Sequence, residues 1–121
     1  MAIKNLTGAW GEMVAGEYLR KQFGWRLIGK NYTVRGGEID LIAETRKYIV
    51  FAEVKTRKNA AHGEAKEFVT PWKQERIRYA AECWLAEHET NKQPRFDVIE
   101  VYAPNGADTE KPQIIHLEDA F

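Results

Sequence analysis

One cysteine, Cys83, serves the whole chain of 121 residues, so no intramolecular disulfide is available to it. Cys83 falls in a helical pattern beside Trp84 and reads as a small buried thiol, not as a nucleophile. Charge of one sign is also lacking: 18 lysines and arginines balance 18 aspartates and glutamates. That balance argues against a protein that holds nucleic acid by bulk charge, so any such binding must be local. No apolar run approaches the length needed to span a membrane. The first residues, MAIKNLTGAW, lack the basic-then-apolar order of a signal peptide, and a cytoplasmic protein is expected. No internal repeat or low-complexity tract is present.

What is present suits one globular domain spanning 1–121. The hydrophobic content is 44%, and the length allows a real core. A first helix is expected from Thr7 to Gln22, with Thr7 able to cap its start and Gly24 able to end it. Its apolar positions wrap much of the circumference, and it carries a glutamate on each side, Glu12 and Glu17; spacing does not choose between them. Residues 25–34 suit a strand, Arg35, Gly36 and Gly37 a hairpin turn, and two further strands follow on either side of Thr45, Arg46 and Lys47. The third of these, YIVFAEV, is apolar on both faces, as a central strand covered by helices would be.

The stretch 56–69 reads as a charged loop in which His62 is an exposed bystander. A second helix begins at Thr70 with Pro71 at its first position. Ile77, Ala80, Ala81, Trp84 and Leu85 make its buried stripe, and Lys73, Glu75, Arg78 and Glu82 its wet face. The segment FDVIEVYA is a strand with Phe96, Val98 and Glu100 on one face and Asp97, Ile99 and Val101 on the other. PNGAD is a turn, and a last strand covers Gln113 to Leu117. The expectation is an α/β fold with a mixed central sheet of about five strands flanked by helices.

Charge appears where burial is expected. Asp40 interrupts EIDLIA, and Glu53 and Lys55 close YIVFAEVK. Charges among apolar side chains require pairing, hydrogen bonds or a metal ion. Alternation places Glu38 with Asp40, and Glu53 with Lys55. Two carboxylates brought together raise one another's pKa unless a cation lies between them, so Asp40 and Glu53 form a natural site for Mg²⁺, with Mn²⁺ as a substitute. Lys55 would stand beside such an ion, able to orient a water and to stabilise charge on a phosphate. The plainer alternative is a surface Glu-x-Lys ion pair of little consequence.

GEIDLIA followed by VFAEVKTR resembles the PD-(D/E)XK nuclease superfamily of restriction-endonuclease-like fold. With GEMVAGEYL, KNYTVRGGEIDLIA and RFDVIEV, the chain from Gly8 to Val101 resembles the bacterial YraN-like family within it. The resemblance implies Asp40 and Glu53 as metal ligands, Lys55 as the catalytic lysine and Glu12, not Glu17, as a further catalytic acid. It is similar to archaeal Holliday junction resolvases, dimers acting on branched DNA, which makes a homodimer the implied assembly. The superfamily's proline is replaced by Ile39, and Gln74 and Tyr79 are one residue too far apart for the Gln-x-x-x-Tyr motif of some exonuclease relatives. The reading is a Mg²⁺-dependent endonuclease on DNA, with Arg57, Lys73 and Arg76 as phosphate contacts. The alternative is a catalytically silent nucleic-acid-binding or interaction module, which the neutral charge favours.

Overall fold

The computed structural model describes residues 6–59 and 69–121; His62 and most of the expected 56–69 loop lie outside them. The element order is α1 (Leu6–Phe23), β1 (Arg26–Val34), β2 (Gly37–Glu44), β3 (Tyr48–Arg57), α2 (Pro71–Glu87), β4 (Gln93–Tyr102), a 3₁₀ turn (Gly106–Asp108) and β5 (Gln113–Leu117). The strands form one sheet in the order β1-β2-β3-β4-β5. Every pairing is antiparallel except β3 with β4, which are parallel and joined across α2. This is the mixed α/β arrangement of the restriction-endonuclease-like fold.

Local chemistry sets the boundaries. Helix α1 begins at Leu6, so Thr7 stands inside it and not before it. It ends where Gly24 turns to φ +72°, returning its N–H to the Arg20 carbonyl at 2.9 Å. Helix α2 begins as expected: the Thr70 hydroxyl accepts the Lys73 N–H at 3.2 Å, and Pro71 fills the position that needs no donor.

The sheet buries both faces of β3. On the α2 side, Ile49 and Phe51 pack with Ile39, Ile42, Ile77, Trp84 and Phe96. On the α1 side, Val50 and Ala52 pack with Ala15, Leu19, Leu41, Ile99 and Val101. Truncating a fully buried member such as Leu19 to alanine would cost about 2–5 kcal/mol. Trp10, Val14 and Tyr18 add partly buried contacts to the α1 layer, which accounts for that helix's broad apolar distribution.

Two glycines let the helices come close. A Cβ on Gly11 would lie 1.8 Å from Thr56 Oγ1, so α1 rests directly on the end of β3. A Cβ on Gly37 would lie 2.2 Å from the Arg76 carbonyl oxygen, so β2 begins against the backbone of α2. Both contacts flank the stretch that carries Asp40 and Glu53. Among the described residues, no helix is long and apolar enough to cross a membrane.

Candidate metal centre

The β2–β3 ladder runs from Glu44 and Ile49 to Leu41 and Ala52, and there it stops. Two residues beyond Ala52, the Val54 N–H is taken by the Asp40 side chain, with Oδ2 accepting at 2.8 Å. A carboxylate has replaced a neighbouring strand as the hydrogen-bond partner, and the two strands part around it. Alternation fails at the same point, since Leu41 packs on the α1 side while Ile39 packs on the α2 side. On β1, Asn31 lies between the pairs Lys30–Leu41 and Tyr32–Ile39 and has φ +51°. That left-handed conformation is tolerated by asparagine better than by most side chains. The bent ladder turns Asp40 out of the ordinary strand alternation.

Asp40 and Glu53 meet in this split. Glu53 is buried, at 8% exposure. Burial, then the Glu53 charge, push the Asp40 carboxyl from its ordinary 3.8 up to about 8; the Val54 N–H opposes the shift, and the Glu12 charge and a hydrogen bond that protonated Asp40 donates to Glu53 add to it. Burial and a neighbouring carboxylate both favour the protonated form of Asp40. Glu12 is also raised, by burial first and by the charges of Glu38 and Glu53, against a hydrogen bond from Asn31 and the charge of Lys30. Glu17, by contrast, is exposed and pairs with Lys21 at 3.7 Å on its own helix. The structure thus brings Glu12, and not Glu17, to Asp40.

Two hollows open on the split. One, of about 410 Å³, is lined by Gly8, Ala9, Glu12, Asn31, Glu38 and Asp40. The other, of about 390 Å³, is lined by Glu38, Glu53, Trp72, Lys73, Arg76 and Ile77. Among the described residues, no three His, Cys, Asp or Glu side chains form a ready-made metal cage. Asp40 and Glu53 would instead offer two carboxylates. That suits Mg²⁺, which keeps several waters and binds through one or two carboxylates with substrate oxygens completing its shell. The residues present fit such an ion.

The cations are arranged differently from the sequence expectation. Lys73 does not face water alone: its Nζ lies 2.6 Å from Glu53 Oε2, because the first turn of α2 lands on the end of β3. Arg57 is a correction to the proposed phosphate contacts, since it is 7% exposed and pairs with Glu100 at 2.5 Å while its guanidinium lies 5.6 Å from the Tyr102 ring. Its alternation with Glu53 and Lys55 holds, but β3 is by then covered. Arg76 lines the second hollow, with its guanidinium 4.9 Å from the Trp72 ring centre. Lys55 is exposed, in register with Glu100, and lines neither hollow. Asn31 and Trp72 were not singled out from the sequence, and Glu38 was noted only as a neighbour of Asp40. An asparagine in a strand, where left-handed backbone is rare, was the available signal for the first.

The fold and this site define a mixed-sheet α/β protein with a carboxylate pair at a strand split. The chain belongs to the uncharacterised protein family UPF0102, whose model matches residues 11–101 and so spans Glu12, Asp40, Glu53 and Lys55. It is 42% identical to a UPF0102 protein of Rhodococcus opacus (strain B4) over 100% of both chains. It is 43% identical to one of Syntrophotalea carbinolica over 94% of this chain and 89% of that one. A third, from Caldanaerobacter subterraneus subsp. tengcongensis, is 41% identical over 98% of this chain and 96% of its own. The family-level resemblance seen in the motifs is thereby borne out.

Proposed function

We propose that this chain is a Mg²⁺-dependent endonuclease of the PD-(D/E)XK kind that hydrolyses phosphodiester bonds of DNA, branched DNA included, with Mn²⁺ as a substitute ion. The observation that carries the reading is the meeting of Asp40 and Glu53 where β2 and β3 part, with Asp40 pushed up to about 8. Asp40 and Glu53 would hold the ion. Once bound, it supplies Lewis-acid polarisation of a phosphate and a lowered pKa for a coordinated water. Lys55, two residues beyond Glu53 on the same strand face, donates hydrogen bonds to a phosphate oxygen and offsets the charge that grows there. Glu12, raised by burial, serves as the proton acceptor at the mouth of the first hollow. Lys73 and Arg76 line the second hollow's approach and attract the backbone. On this reading 1–121 is a single nuclease domain acting in the cytoplasm, and a homodimer would present two such sites to a junction.

One observation favours the alternative of a silent binding module. Lys73 already neutralises Glu53 at 2.6 Å, and the net charge of zero gives little bulk attraction for DNA. Incubating the protein with linear, flapped and four-way-junction DNAs in Mg²⁺, Mn²⁺ or EDTA separates the two. Metal-dependent cleavage that is lost in Asp40→Ala and Lys55→Ala supports the nuclease. No cleavage of any substrate, or equal cleavage by both variants, sinks it.

A further inference from the structure

At the other end of the β2–β3 hairpin, a third hollow of about 520 Å³ lies between the end of α1, the β2–β3 turn and the start of β4. Its lining is unlike the acidic split. Arg26, Arg46, Lys47 and Arg95 stand against one carboxylate, Glu44, in a chain whose formal net charge is zero. Glu44 is already claimed twice, by Arg26 at 2.8 Å and Lys92 at 3.0 Å. Arg95 is committed as well: it binds Asp97 through two hydrogen bonds, at 2.9 and 2.8 Å, and is 10% exposed. Arg46 and Lys47 are exposed on the turn, and neither has a carboxylate partner among the described residues. The turn's shape does not depend on their side chains, because Thr45 Oγ1 accepts the N–H groups of Lys47 and Tyr48 at 3.1 and 2.9 Å.

The same hollow has an aromatic wall. The Arg95 guanidinium lies 5.1 Å from the Trp25 ring centre and 4.9 Å from that of Tyr48, a cation over both rings. Phe23 stacks on Trp25, with centroids 4.8 Å apart and planes at 23°. Phe23 also meets Tyr18 and His116 edge-on, with centroids 5.6 and 5.7 Å away, yet it stays 41% exposed, so part of the aromatic cluster is open to solvent. A flat ring set beside two uncommitted cations matches an unstacked nucleobase and its phosphate: the ring extends the cluster and the phosphate meets the turn.

We propose that this hollow binds a nucleotide unit of a single-stranded nucleic acid, a second contact distinct from the acidic split. The inference deepens the nuclease reading and rests on it for the choice of nucleic acid. Tyr48 and Glu53 lie on one strand, roughly 16 Å apart at about 3.3 Å per residue. Alternation sets Tyr48 on the α1 side of β3 and Glu53 on the α2 side, so a strand held at the aromatic end meets the protein apart from the carboxylate pair. Because a paired base cannot stack on Phe23, the contact selects flapped or frayed substrates over intact duplex.

The test is binding of the full chain to a short fluorescein-labelled oligothymidylate in EDTA, where cleavage cannot intervene and the acidic pair plays no part. The expected result is that Arg46→Glu/Lys47→Glu weakens binding by about tenfold or more. Phe23→Leu, which keeps the apolar volume but removes the flat face, should weaken it on the order of tenfold. In the ¹H–¹⁵N spectrum the Trp25 indole resonance should move on titration. Binding that is absent, indifferent to both variants, or without a Trp25 shift overturns the proposal. An equal Trp25 shift with inorganic phosphate alone also overturns it, by showing an anion site with no base requirement. Loss of cleavage in Mg²⁺ with these results intact would count against the nuclease reading and not against this contact.

Discussion

Lys73 Nζ lies 2.6 Å from Glu53 Oε2, so the carboxylate best buried in the split is neutralised by a side chain from the opposite element. The two ends differ in exposure, with the lysine side chain at 42% and the glutamate at 9%. An ammonium with one foot in water can leave without a large penalty, whereas Glu53 cannot readily lose its cation. A divalent ion on Asp40 and Glu53 must therefore compete with Lys73. Lys73→Met should tighten Mn²⁺ binding, measured by isothermal titration, roughly fivefold, the factor about 1 kcal/mol of relieved competition produces. An unchanged affinity would mean that the lysine and the ion do not share the carboxylate.

The Asp40 carboxyl makes stability depend on pH in a direction opposite to that of most acidic groups. It titrates near 3.8 when unfolded and at about 8 in the fold, chiefly through burial and then the Glu53 charge. Between those values the folded chain binds more protons than the unfolded chain, so stability falls as pH rises through this window. Urea denaturation in EDTA should show a loss on the order of a few kcal/mol between about pH 5 and pH 8. Asp40→Asn, whose side-chain carbonyl can still accept the Val54 N–H, should flatten that slope. A slope that survives in the asparagine variant would assign the effect to another group.

Much of this arrangement could be read along the chain, and what escaped was long-range. The α2 stripe, the two faces of β4 and the last strand at Gln113–Leu117 follow local periodicity, and each is found as expected. The pairing of Lys73 with Glu53 is different, because it depends on where the crossover sets α2 down on a parallel strand pair. Arg57 looked like part of a basic surface because Arg and Lys neighbours follow Lys55. Register with β4 instead brings it to Glu100, a partner far along the chain. Asn31 escaped for a related reason: the break in alternation that turns it towards Glu12 belongs to a three-strand ladder, not to one segment, whereas Glu38 shares a hollow with Asp40 as alternation placed it.

The contact between Gly11 and Thr56 holds α1, and with it Glu12, against the end of β3. A methyl on Gly11 would meet Thr56 Oγ1 at 1.8 Å, a distance that forces the helix or the strand to shift. Gly11→Ala should destabilise the fold by about 1–3 kcal/mol, as overpacking does. Thr56→Ala removes the clashing oxygen, and the double variant should recover most of the loss in a thermal-denaturation cycle. If Gly11→Ala alone matches the wild type, α1 is not seated on Thr56.

Arg57 and Glu100 offer the sharpest separation between a structural and a binding role. Their side chains are 5% and 0% exposed and form a direct ion pair, and Glu100 Oε1 has no hydrogen-bond partner among the described residues. Removing the guanidinium strands a buried carboxylate that has little else to hold it. Arg57→Met should therefore cost about 3–5 kcal/mol, the usual penalty for breaking a buried pair from one side. Arg57→Met with Glu100→Leu removes both charges together, and much of the stability should return in chemical denaturation. DNA affinity of the double variant is the second reading: with Arg57 away from the surface it should stay within about twofold of the wild type, against the loss expected when a phosphate contact is removed. Full stability in Arg57→Met, combined with weakened DNA binding, would restore Arg57 to the nucleic-acid surface.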